Sequence, residues 1–187
     1  EGYTNEILNG DIHTANQKLA GLESRNQAKT FIYALLYGAG DAKLGSVAGR
    51  GREAGKKLRQ SFFDNLPSFK ALTGRVQREA KSGFVKALDG RKLTVRSDHA
   101  ALNTLLQGAG AIVMKQALII LDQKIKKHGW DAKFVANVHD EWQIECHVDD
   151  AVDVGKAGVQ AIREAGCMLN LNCPLDGEYK VGDNWSE

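Results

Sequence analysis

Arg25, Lys29, Tyr33 and Tyr37 recur at intervals of four residues. On an α-helix this spacing moves each side chain only about 40° around the axis, so the four form one slowly spiralling stripe. Two cations lead and two phenols follow. Cations in the first turn oppose the helix dipole, an arrangement that becomes favourable when an anion lies beside them. Arginine can grip a phosphate bidentately and lysine acts as a point charge, so a triphosphate suits this stripe. The spacing by itself also fits the solvated start of a core helix.

A second cluster, His139-Asp140-Glu141, lies between two runs that read as paired strands, Phe134 to Val138 and Trp142 to Cys146. The pattern predicts a β-hairpin that carries the His-Asp pair at its tip. Such a tip could push a carboxylate towards a metal ion, and on a lone turn it is also ordinary solvated surface.

The elements that must position these groups are legible in part. Ser24 is a helix N-cap and Gly38 and Gly40 supply a stop, which predicts a helix through Tyr37. Residues 52–81 carry a 3/4-spaced apolar stripe interrupted near Pro67, which predicts two helices. Asp89-Gly90 between residues 84–88 and 91–95 predicts a tight hairpin. Residues 100–127 read as a buried helix, Asp149 or Asp150 as the cap of a last helix to about Ala165, and Leu175 to Tyr179 as an extended tail. The fold class expected is α+β, with helices outnumbering strands.

At 187 residues and 43% hydrophobic content the chain can form one sizeable core or two small lobes, and it reads as compact from end to end. The net charge of +2 conceals an asymmetry. Residues 1–139 hold 22 Lys/Arg against 12 Asp/Glu, and residues 140–187 hold 3 against 11. The basic majority suits a polyanion, while so acidic a tail is foreign to a ribosomal-type binder. Cys146, Cys167 and Cys173 have no CxxC spacing and read as reduced, mostly buried thiols. No apolar run approaches the roughly 20 residues that span a bilayer, and the first residues lack the basic start of a signal peptide, so no membrane partner and a cytoplasmic location in a bacterial or virus-infected cell are expected.

The segment Arg25-Asn-Gln-Ala-Lys29-Thr-Phe-Ile-Tyr33-Ala-Leu-Leu-Tyr37-Gly38 resembles motif B, the fingers helix of family A DNA polymerases. Val138-His139-Asp140-Glu141 resembles their motif C. The likeness runs from Ile7 through Asp11-Ile12-His13 to Asn184-Trp185 and is greatest to replicative polymerases of the bacteriophage T7 type. It implies the fingers and a partial antiparallel palm sheet of a right-hand polymerase. Residues 1–24 would join palm to fingers, 25–82 would be fingers, and 83–187 would be palm.

The resemblance also implies roles. His13, Arg25 and Lys29 would hold the triphosphate of a dNTP, with Lys29 counted as catalytic. Tyr33 would favour acceptance of dideoxynucleotides, and Tyr37 would stack near the templating base. Asn103 and Gln107 would read minor-groove acceptors, Arg96 would contact primer-template DNA, and His139 would approach the primer end. Arg91 and Lys92 are candidates for the DNA backbone, and solvated charge accounts for them as well. Asp140 would be a metal ligand and catalytic residue, with Glu141 beside it. In such enzymes two Mg²⁺ ions about 4 Å apart activate the primer 3′-oxygen and stabilise the leaving pyrophosphate.

The family's motif A, which carries the other essential aspartate, would lie about twenty residues before His13. Neither Glu6 nor Asp11 is a convincing replacement. The implied partner is therefore an N-terminal polymerase part carrying motif A, the thumb and any exonuclease, and the chain is expected to be processed, split or truncated and inactive alone. A non-catalytic DNA- or nucleotide-binding module derived from a polymerase is the alternative, and RNA synthesis is conceivable because single-subunit RNA polymerases share the architecture.

Overall fold

A computed structural model describes residues 2–185. Among the described residues it contains α1 (Gly2–Asn9), α2 (Ile12–Ala20), α3 (Arg25–Leu36), α4 (Asp41–Val47), α5 (Arg52–Asn65) and α6 (Pro67–Ala80). The strands β1 (Phe84–Lys86) and β2 (Lys92–Thr94) follow, then a 3₁₀ turn at Asp98–Ala100 and the long α7 (Ala101–His128). Strands β3 (Ala132–Val138) and β4 (Glu141–Cys146) and helix α8 (Ala151–Met168) complete it. The α+β expectation holds, with two two-stranded antiparallel sheets.

The chain divides into two compact units. One runs up to Ala87 and includes Arg91–Leu106, and the other comprises Leu88–Gly90 and the chain from Gln107 onward.

In the first unit, the Ser24 hydroxyl oxygen accepts a hydrogen bond from the Gln27 amide, and the Ser24 amide in turn donates to Gln27 Oε1. This reciprocal cap satisfies two of the donors that a helix start leaves orphaned. The inward face of α3 presents Ala28, Phe31, Ile32 and Leu35 to a core shared with Leu44, Leu58 and Phe62. Phe31 and Phe62 meet edge to face, with ring centroids 5.8 Å apart. Pro67 opens α6 as its first residue, where its missing amide costs nothing, which is why residues 52–81 form two helices. A second core joins Val76 and Ala80 of α6 to Val85 and Ala101.

In the second unit Ala117, Ile120, Leu121 and Ile125 of α7 pack on Ala161 and Ala165 of α8. Phe134, Trp142 and Ile144 of the β3–β4 hairpin close over them.

Several sequence expectations need correction. Asp89-Gly90 does not make a two-residue turn: the ladder ends at Lys86 opposite Lys92, and Gly90 takes φ +85° within a longer loop. The Ala87 amide donates to Arg91 O at 2.9 Å, which leaves Leu88-Asp89-Gly90 as a three-residue loop, and the Lys86 amide donates to the Glu79 carboxylate at 2.8 Å. Asp150 precedes α8, yet with φ −94° and ψ −13° it already has helical backbone and makes no side-chain cap. Cys146 and Cys173 are half-buried and Cys167 is exposed, because Cys167 falls on the solvent face of the last turn of α8.

Helix α7 is not buried along its length. Only 17% of its most apolar window is covered, and the helical stretch Asp98–His128 is long and apolar enough by composition to cross a membrane. Polar residues such as Asn103, Gln107 and Gln116 break its apolar residues into short runs, while the mean hydropathy over the stretch stays high. Helices α1, α2 and α4 were not read from the sequence. They are seven to nine residues long, too short for their periodicity to stand out.

Candidate active site

The stripe on α3 faces outward. Arg25, Lys29, Tyr33 and Tyr37 are all exposed, with Tyr33 at 49% and Tyr37 at 58%. The opposite face of the helix is fully buried. Two large phenols and two cations exposed on one face contribute little to the core. Lys29 makes no hydrogen bond or ion pair among the described residues.

Arg25 is engaged. Its Nε donates to Asp11 Oδ2 at 2.7 Å and its Nη2 to Asp11 Oδ1 at 3.2 Å, a two-point grip. The same carboxylate caps α2 by accepting from the His13 amide at 3.0 Å and the Thr14 hydroxyl at 2.8 Å. The Arg25 guanidinium, with Thr14, holds the Asp11 carboxyl far below the ordinary carboxylate range, and Asp11 in turn raises the pKa of Arg25. The anion that a cationic first turn demands is therefore supplied by the chain itself. Sequence reasoning weighed Asp11 only as a metal ligand. Its position just before an Ile-His helix start was the available sign that it is a cap.

His13 lies in the first turn of α2, and its Nδ1 is buried with no hydrogen-bond partner among the described residues. A buried nitrogen left this way carries a desolvation cost that a ligand group or a water would relieve. Asp11 thus brings His13 and Arg25 to one corner where α2 meets α3.

The far end of α3 is fixed with equal definition. Gly38 takes φ +78°, its amide donates to Leu35 O at 3.0 Å, and the Ala39 amide donates to Ala34 O at 2.9 Å. This pair of bonds is the Schellman helix ending. A Cβ at Gly38 would lie 2.3 Å from the His99 carbonyl oxygen, so the chain just after Tyr37 touches the 3₁₀ turn that leads into α7. Arg59 of α5 secures the following loop by donating to Ala39 O at 2.6 Å and to the Asp41 carboxylate at 2.8 Å. No sequence pattern singled out Arg59, because its partners are 18 and 20 residues away.

Arg96, just before that turn, is exposed; Asn103 is half-buried and Gln107 exposed, one turn apart on α7. Lys92 lies 4.3 Å from the centre of the Phe84 ring, a cation–π contact that gives it a local role.

In the second unit Val138 pairs with Glu141, leaving His139 and Asp140 as the two residues of the turn. His139 has φ +55°, a left-handed conformation in a position where glycine is usual. A register shift between Phe134 and Ala136 bulges β3 below the tip. Asp140 is exposed and makes no hydrogen bond or ion pair among the described residues. Glu141 opens β4, and its Oε1 accepts from the Gln143 side chain and from the Trp185 indole N–H at 3.1 Å. Trp185, near the other end of the chain's numbering, was not singled out as a site residue.

Asp140 and Glu141 suit a hard divalent cation, which takes oxygen ligands. No cluster of three or more metal-ligating side chains occurs among the described residues, so these two carboxylates do not complete a metal site.

The family model for DNA polymerase family A matches residues 6–187. A DNA-directed DNA polymerase of Enterobacteria phage T3 is 46% identical over 207 residues, covering 99% of this chain and 29% of that protein. The DNA-directed DNA polymerase of Escherichia phage T7 is also 46% identical, over 98% of this chain and 29% of its own length. DNA polymerase I of Aquifex aeolicus is 33% identical over 88% of this chain and 30% of its own length. The chain thus spans about three tenths of the length of the curated relatives it matches. In fold it is similar to the POL domain of Pol1 from M. smegmatis, solved in complex with DNA primer-template and dNTP, with a TM-score of 0.78 and 23% identity over 88% of this chain and 33% of that one.

Proposed function

This chain belongs to DNA polymerase family A, and on that premise we propose that it is the C-terminal fingers-and-palm part of a template-directed DNA polymerase, acting inside a cell on primer-template DNA and dNTPs. Residues 25–82 serve as fingers and residues 83–187 as palm, with 1–24 joining the two. The observation that carries this reading is the exposed stripe of Arg25, Lys29, Tyr33 and Tyr37 opposite a fully buried face. A core helix has no use for it, and an incoming nucleotide does.

In this reading Lys29 and His13 meet the triphosphate, and Arg25 joins them by exchanging Asp11 for phosphate. Tyr33 lies near the sugar and Tyr37 near the templating base. Arg96, Asn103, Gln107 and His139 contact the primer-template. Asp140 is one ligand of the Mg²⁺ pair, with Glu141 beside it, and the second essential carboxylate comes from motif A on a separate N-terminal part of the polymerase.

Single-nucleotide primer extension with Mg²⁺ tests the reading, comparing this chain alone, the chain with a motif A fragment, and the mixture carrying Asp140→Ala. Extension in the mixture that disappears in the variant supports it. No extension with any complementing fragment, together with retained DNA binding, would instead favour a non-catalytic binding module, a reading to which the incomplete carboxylate set lends weight.

A further inference from the structure

The segment after α8 is strapped back along that helix. The Leu171 amide closes the helix end by donating to Gly166 O at 3.1 Å. Leu175 then packs where Gly166 leaves room, since a Cβ there would lie 3.0 Å from the leucine side chain. Asp176 accepts from Arg163 Nε at 3.0 Å and from the Gly177 amide at 2.8 Å, which ties the strap to the middle of α8. The Tyr179 ring lies directly over Gly155, at 2.2 Å from where a Cβ would stand, so only glycine fits beneath it. The seats at Gly166 and Gly155 are eleven residues apart, three turns of one helix face. The strap therefore runs from the C-terminal end of α8 towards its N-terminal end.

Six residues beyond Tyr179 lies Trp185, whose indole N–H donates to Glu141 Oε1 at 3.1 Å. Trp185 is 62% exposed, so burial is not what holds it there. Its indole N–H bonds the carboxylate adjacent to Asp140. The Gln143 side chain donates to the same oxygen from within β4. Glu141 is thus fixed by two donors, one local and one delivered over 44 residues of sequence by the strap.

We propose that Trp185 is a positioning residue for the motif C carboxylates: the strap over α8 delivers its indole N–H to Glu141, which fixes the carboxylate and the turn bearing Asp140. The functional part of this proposal rests on the polymerase reading, and the structural part does not. With the donor removed, Glu141 would swing on one remaining hydrogen bond, and the adjacent tip, with His139 already in a left-handed conformation, would lose definition.

Two measurements separate the proposal from the polymerase reading. In this chain the Trp185 indole N–H resonance is assigned by its loss in Trp185→Phe. Glu141→Gln is expected to shift it upfield while the Trp130 and Trp142 indole signals stay. An unmoved Trp185 signal would overturn the contact whatever the chain's activity. In the assembled polymerase, Trp185→Phe keeps an aromatic ring and removes the donor. It is expected to lower kcat by about tenfold to a hundredfold, the worth of one hydrogen bond to a charged group, with KM for dNTP unchanged. Paired with Glu141→Gln, the double variant is expected to be no slower than Glu141→Gln alone. Additive losses, or a change in KM with kcat intact, would refute positioning through Glu141. Absence of all activity in the unsubstituted assembly would fail the polymerase reading and leave the resonance test standing.

Discussion

Gly38 and Gly21 both end helices in a left-handed conformation, at φ +78° and +70°, and both belong to the first unit. They differ in what a side chain would meet. A Cβ at Gly21 finds nothing within 4 Å, whereas at Gly38 it would lie 2.3 Å from the His99 carbonyl oxygen. Alanine at either site carries the left-handed cost of about 1–2 kcal/mol. The entropy that alanine removes from the unfolded chain, about 0.4–1 kcal/mol, is the same for both and cancels in the difference. At Gly38 the backbone must also retreat by about 0.7 Å to restore a 3.0 Å contact. Because the obstacle is a backbone carbonyl and not a flexible side chain, that overpacking adds about 1–3 kcal/mol. Gly38→Ala is therefore expected to exceed Gly21→Ala by about 2 kcal/mol, close to thirtyfold in the unfolding equilibrium of the first unit, to which both glycines belong. Hydrogen exchange of the most protected amides of that unit reads this directly. Equal protection loss in the two variants would refute the claim that the end of the stripe is pinned against the turn leading into α7. The same variant is expected to weaken dNTP binding by the assembled polymerase, because Tyr37 precedes the displaced residue.

Lys29→Ala is expected to lower kcat/KM for dNTP incorporation by about 10²–10³, the scale of losing one charge that meets the reacting phosphates, with α3 helicity retained because the side chain is exposed; steady-state kinetics and circular dichroism check the two halves. Tyr33→Phe removes only a hydroxyl and is expected to reduce dideoxynucleotide incorporation relative to the deoxynucleotide by about tenfold, one hydrogen bond, in a competition assay. Glu164 is held below the ordinary glutamate range by the Lys124 amine at 3.0 Å. Its stabilising contribution is present above the unfolded glutamate pKa of about 4.3 and fades as pH falls through the lower folded value. Glu164→Gln should accordingly flatten the acid limb of the second unit's unfolding curve, and an unchanged limb would show that the pair is inconsequential.

The chemistry of α3 was legible because it is local. Period-four spacing, a Ser24 cap and a Gly38 stop all act within one helix, and the capping box and helix ending formed as those residues dictate. The β3–β4 hairpin and the break at Pro67 were readable for the same reason. The Asp89-Gly90 loop was not, because the Ala87 amide bonds Arg91 O and so encloses three residues, where the Asp-Gly pattern suits two.

What only the tertiary structure decided is which groups hold these elements in place. Asp11 reaches Arg25 across 14 residues, Arg59 reaches Ala39 across 20, and Trp185 reaches Glu141 across 44. None of these pairs leaves a mark in local pattern, since a charged or aromatic side chain reads alike whether it meets water or a distant partner. The sequence by itself determined the residue types that could bind phosphate and metal and the helix and turn that carry them. Packing decided that Arg25 already holds an anion, that Lys29 stands open, and that the carboxylate beside Asp140 is held by a strap. Hydrogen bonds between elements depend on where whole helices dock, and docking is set by the summed burial of many side chains.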